Sequence, residues 1–389
     1  MSKKLISVFL CMALVGTIIF GCGQQADTDN TASDDSTAAE ITDKAGAETE
    51  PEEEGDTAAE EDIHIEIVSK GFQTQFWQAV LKGAESKAQE LGATINFVGP
   101  NTESDIADQV QMFNSAVNAK PSAIGLAALD TEACLDTIAQ AQSDGIPIVG
   151  FDSGVPGAPE GAVVANASTG NYAAGEKAAE EGYKTSIKDH IANASGQVRI
   201  GVVPQDSVSE SIVNRALGFI DKIGEHIMAD GKTVAVTGND KYVTDSKIEA
   251  GESADVVIEV RVPSQFTAEL LAVEAQALLN QDDLICIYGP AEGSGEAIVT
   301  ANANLNKLGT GDDQVIGIAF DSGAVIKQAI RDGILIGAIT QAPVRIGEAT
   351  VELCVKAVKG EPVEDIDTGC QWYTKDNMDD PEIAQNLYD

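Results

Sequence analysis

Positive charge is scarce in this chain. Its 389 residues carry 24 Lys and Arg against 63 Asp and Glu, a formal net charge of -39 at pH 7. That balance excludes a nucleic-acid partner, because phosphate binding is driven by Lys and Arg displacing counterions. The acidity reads instead as a solvated anionic surface. Histidine is scarcer still, at His64, His190 and His226. With no metal-ligand cluster and no nucleophile elbow around them, neither a metal, a cofactor nor an enzymatic activity is expected. Cysteine is sparse and forms no close metal-type pair. Cys134, Cys286 and Cys354 sit in apolar periodic runs and read as buried thiols, while a Cys354 to Cys370 disulfide is left open by the sequence.

A spanning helix is missing as well. The apolar run Leu5 to Phe20 falls short of the roughly 20 residues a bilayer needs and follows Lys3 and Lys4, the layout of a secretory signal. At its end, Ile19-Phe20-Gly21-Cys22 resembles a bacterial lipoprotein signal, which implies cleavage after residue 21 and lipid on Cys22. Residues 22–62 then hold Asp, Glu, Thr, Ala, Ser and Gly with a single lysine, Lys44. Such a self-repelling stretch has nothing to bury and reads as a disordered tether.

What remains is long enough, with 43% hydrophobic residues, to fill two medium domains. From Ile63 short β-branched runs alternate with amphipathic stretches. Strands are predicted over Ile63–Val68, Ala93–Val98, Ser122–Leu126 and Ile146–Phe151, with helices over Phe76–Leu91, Asp105–Asn118 and Thr131–Asp144. The pattern restarts at Val198–Val203 and continues through strands Val256–Val260, Leu284–Tyr288 and Val315–Ala319. Alternation of this kind predicts an α/β fold of two Rossmann-like lobes built from parallel βαβ units. Ligands in such sheets lie beyond the carboxyl ends of the strands. The turns there hold Lys70 to Trp77, Asp152-Ser153, Gln205-Asp206-Ser207, Asp321-Ser322 and Gln341. Aromatic faces mixed with carboxylates and amides suit a sugar, whose C–H faces lie on flat rings while its hydroxyls need acceptors and donors.

These residues carry a resemblance. Ser69-Lys70 with Phe76-Trp77-Gln78-Ala79-Val80, Gly145 to Asp152, Asn214 to Phe219, Gly317 to Asp321 and Gly337 to Gln341 together resemble the periplasmic sugar-binding proteins of the ribose, allose and galactose type. The resemblance spans Ile63 to about Tyr373. It implies the type I periplasmic binding protein fold, two lobes joined by a three-strand hinge: 63–166 with 342–369, and 167–341 with 370–389. It further implies that Phe76 and Trp77 hold the sugar ring, that Asp152, Asp321 and Gln341 bond its hydroxyls, and that Lys70 and Phe266 join them. Asn171 and Arg215 fall to scaffold. Ser153 and Val213 stand where the ribose binders place arginines, so ribose itself is not the expected ligand, and the calcium loop of some galactose receptors has no counterpart.

The expected role is that of an extracytoplasmic, lipid-anchored monomer that hands sugar to an ABC transporter permease. A receptor feeding a membrane sensor kinase is the alternative. A sugar-responsive repressor shares the two-lobe core but begins with a DNA-binding module, whose place is taken here by the signal and the acidic segment.

Overall fold

The computed structural model describes residues 62–311 and 313–388. The expected signal peptide, the expected lipid site Cys22 and the acidic segment up to residue 61 lie outside the described residues. Among those described, no helix is long and apolar enough to cross a membrane.

Two separate sheets form. The first is built from β1 (His64–Val68), β2 (Thr94–Val98), β3 (Ala123–Leu126), β4 (Ile148–Phe151), β5 (Val163–Ser168) and β12 (Ile366–Asp367), in the order β12-β5-β4-β3-β1-β2. The second takes β6 (Val198–Val202), β7 (Val234–Gly238), β8 (Val256–Val260), β9 (Leu284–Tyr288), β10 (Ile316–Phe320), β11 (Gly337–Gln341) and β13 (Cys370–Tyr373), in the order β13-β11-β10-β9-β6-β8-β7. All pairings are parallel except that of β11 with β13. Parallel sheets are covered by helices on both faces, so their strands need continuous rather than alternating hydrophobicity. Val256-Val257-Ile258-Glu259-Val260 and Ile316-Gly317-Ile318-Ala319-Phe320 are buried at every position.

The predicted strands lie within a residue or two of their places. The helix predicted from Thr131 begins instead at Leu135. Asp130 causes the delay: its carboxylate accepts the backbone N–H groups of Glu132 and Ala133, at 2.8 and 2.9 Å, and holds those residues in a turn. The thiols of Cys134, Cys286 and Cys354 are buried, and all four described cysteines are free, so the disulfide left open by the sequence is not formed.

The two lobes repeat one packing device. The helix Gln75–Leu91 crosses Pro343–Val358 with backbones touching: a Cβ on Gly83 would stand 2.0 Å from the Val344 carbonyl oxygen, and one on Gly347 2.0 Å from that of Val80. In the second lobe Asn171–Gly182 crosses Glu210–Ala229 in the same way, with Gly175 and Gly218 each 2.1 Å from a facing carbonyl oxygen by the same measure. Only glycine allows so close an approach.

Between the sheets the chain passes three times, after β5, after β11 and after β12. These crossings are bonded side by side. Thr368 N donates to the Ser168 carbonyl at 3.0 Å, Gly170 N to Asp367 Oδ1 at 3.0 Å, and the Thr169 hydroxyl to Gln341 Oε1 at 3.0 Å. Neighbouring strands that each change sheet at one level make a hinge, where small dihedral changes move one lobe against the other.

Candidate binding site

Between the lobes lies a cavity of about 1020 Å³. Its wall comes from turns beyond the carboxyl ends of strands in both sheets: Lys70 to Trp77 after β1, Asn101 to Ser104 after β2, Asp152 after β4, Gln205 after β6, Phe266 after β8, Ala291 to Gly293 after β9, Asp321 after β10 and Gln341 ending β11.

Asp152 and Asp321 hold equivalent places in the two lobes. Each follows a phenylalanine at a strand end and precedes Ser-Gly, in Phe151-Asp152-Ser153-Gly154 and Phe320-Asp321-Ser322-Gly323. Each adopts a left-handed backbone, φ 55° and 70°, which aspartate tolerates better than most residues. Strained conformations of this kind persist where the surrounding structure fixes them. Asp152 N still donates to the Ala167 carbonyl and Asp321 N to that of Ile339, so the turns remain bonded to the sheets.

Arg215 occupies the centre. It is 2% exposed, and its guanidinium lies 3.6 Å from Asp152 Oδ1 and 3.9 Å from Asp321 Oδ2. It also donates to Gln341 Oε1 at 2.9 Å and to Asn171 Oδ1 at 2.8 Å, and its Cζ stands 4.2 Å above the Phe320 ring. Gln341 in turn donates to Asp321 Oδ1 at 2.7 Å. Lys70 closes the network from the first lobe, 3.0 Å from Asp152 Oδ2, while donating across the cleft to the Ser211 and Ser209 hydroxyls. Burial disfavours its ammonium, yet the carboxylates of Asp152, Glu103 and Asp206 outweigh that and hold Lys70 above the ordinary lysine range. For Asp321 burial dominates and pushes the carboxyl up, against the opposing pull of Arg215 and Gln341.

The aromatic side is anchored just as firmly. Trp77 is 1% exposed, meets Phe76 and Phe151 edge-on at 4.9 and 6.2 Å, and donates from Nε1 to Glu103 Oε1 at 2.8 Å. Glu103 Oε2 accepts from Gln205 of the other lobe at 2.8 Å, so this carboxylate also spans the cleft.

The model of the periplasmic binding protein domain matches residues 65–362. The chain belongs to this family. The chain is similar to a solved Brachyspira murdochii protein titled ABC transporter, LacI family transcriptional regulator, being 36% identical to it at a TM-score of 0.70, over 84% of this chain and 99% of that one. An Agrobacterium vitis ABC transporter solute-binding protein with bound D-fucose is 29% identical at a TM-score of 0.68, over 84% and 100%. The D-allose-binding periplasmic protein of Escherichia coli is 23% identical over 80% of this chain and 90% of its own.

Within this periplasmic binding protein, Lys70, Phe76, Trp77, Asp152, Phe266, Asp321 and Gln341 all border the one cavity. Arg215, expected as scaffold, borders it too, and Asn171 supports it from behind. The sequence reading overlooked Glu103, although its place in the turn after a strand is the signal that singled out the others. Glu269 and Glu296 also line the wall, from the helices Ala268–Leu279 and Glu292–Asn302. Tyr388 was overlooked too: its phenol faces Glu292, and its ring lies 6.2 Å from that of Phe76.

Proposed function

We propose that this chain is an extracytoplasmic receptor that captures a small sugar between its lobes and delivers it to an ABC transporter permease. The observation that carries this reading is the cavity itself. A network of carboxylates, amide, guanidinium and ammonium from both lobes borders it alongside the rings of Phe76, Trp77 and Phe266. Asp152 and Gln341 bring acceptors, Lys70 and Arg215 donors, and the rings a flat apolar face, which is the complement of a pyranose or furanose. The relatives named for D-allose and solved with D-fucose support the same ligand class.

Ligand touching both lobes stabilises the closed form by its differential affinity, and a permease that recognises that form is then loaded selectively. The lobes comprise 63 to about 168 with 342–369, and about 169 to 341 with 370–389. They act as a monomer held at the membrane by lipid on Cys22 through the acidic tether of residues 22–62.

A thermal-shift screen of monosaccharides and polyols tests this reading. A binding sugar at a hundredfold excess over its Kd adds about 2.7 kcal/mol to stability and raises the melting temperature by several degrees. No shift with any neutral or amino monosaccharide or polyol at millimolar concentration would remove the sugar reading.

A further inference from the structure

On the reading that this cleft takes a sugar, its charge balance narrows the class. Both cations in the wall already have partners: Lys70 pairs with Asp152, and Arg215 lies between Asp152 and Asp321. Four more carboxyl groups border the same cavity, at Glu103, Glu269, Glu292 and Glu296. Among the described residues none of these four is in an ion pair. Glu103 is satisfied by the Trp77 indole and the Gln205 amide, and Glu269 stands exposed at the rim.

Glu292 and Glu296 remain, one turn apart on the helix Glu292–Asn302 and therefore on one face of it. Glu292 Oε2 is buried and has no hydrogen-bond partner. The groups facing this side chain are the carboxylates of Asp321, Glu296 and Glu103 and the Tyr388 phenol. Burial, followed by those three carboxylates, pushes the Glu292 carboxyl up to about 8.

We propose that the ligand is an amino sugar whose ammonium group is held by Glu292 and Glu296. A neutral sugar brings hydroxyl donors to Asp152, Asp321 and Gln341 but no positive charge to the crowded carboxyl groups around Glu292, whose proton then stays in place. An ammonium brings three donors and a positive charge to that place, and its arrival displaces the proton that Glu292 otherwise retains. A sugar acid meets the opposite situation, since among the described residues no unpaired cation lines the wall to receive its carboxylate.

Titration calorimetry on the full chain at mildly acidic pH decides the matter, using D-glucosamine against D-glucose and D-galactosamine against D-galactose, with D-glucuronate alongside. In at least one pair the amine should bind about tenfold tighter or more, and glucuronate should give no saturable heat. Glu292→Gln and, separately, Glu296→Gln should bring the ratio of amine to neutral affinity towards one. Neutral sugars binding as tightly as their amines in both pairs, or a ratio unchanged in both variants, would overturn the inference and leave the sugar reading standing. If neither the amines nor the neutral sugars of these pairs bind, this inference fails, while the sugar reading stands or falls with the wider screen.

Discussion

Replacing Arg215 with alanine should destabilise the protein by about 3–5 kcal/mol, because it strands buried charge. Asp152 and Asp321 are 2% and 5% exposed, and the guanidinium between them is the cation that serves both. Asp152 keeps Lys70 at 3.0 Å in the variant. Asp321 retains only the Gln341 amide and the Glu292 backbone N–H, at 2.7 and 3.2 Å. Most of the loss therefore belongs to Asp321, and neutralising it should recover part. Urea unfolding followed by circular dichroism checks this: Arg215→Ala should lower the midpoint sharply, and adding Asp321→Asn should move it back. A double variant less stable than Arg215→Ala by the full single-site loss of Asp321→Asn would mean that the two residues are not coupled.

Trp77→Ala should be nearly as damaging, at about 3–5 kcal/mol, and should weaken ligand binding as well. The indole is among the largest fully buried side chains and sits in the same apolar cluster as Phe76, Val80 and Phe151, yet one side of it borders the cavity. Its truncation empties part of that cluster and leaves Glu103 without its indole donor. Trp77→Phe refills most of the volume without the N–H, so it separates the two contributions: stability should largely return while binding stays impaired through the freed Glu103. Full recovery of both in the phenylalanine variant would assign Trp77 to packing alone.

Much of this architecture is legible in the sequence. Strands such as Val256–Val260 announce themselves because parallel sheets demand unbroken apolar runs, and the turns after them mark the ligand side by topology alone. Asp152, Asp321 and Gln341 were found in that way. Arg215 was not, because it lies inside a helix between Asn214 and Ala216, where a basic residue ordinarily reads as a solvated face. Only the crossing of Glu210–Ala229 with Asn171–Gly182, allowed by Gly175 and Gly218, brings it next to both aspartates. The Glu292–Glu296 pair was equally silent, since glutamates in the first turns of a helix are commonplace until burial and neighbouring carboxylates set them apart. Tyr388 could not be placed by local pattern at all: its contact with Phe76 joins residues at opposite ends of the described chain.

The most direct test of the central claim is calorimetric titration of the sugar found by screening into the wild type, Asp152→Asn and Asp321→Asn. Each carboxylate should contribute a charged hydrogen bond of roughly 1.5–3 kcal/mol to the bound state, from opposite sides of the cleft. The wild type should show a single saturable site, and each variant, folded as judged by circular dichroism, should bind about tenfold to a hundredfold more weakly. Wild-type affinity in both variants would place the ligand elsewhere and contradict capture between the lobes.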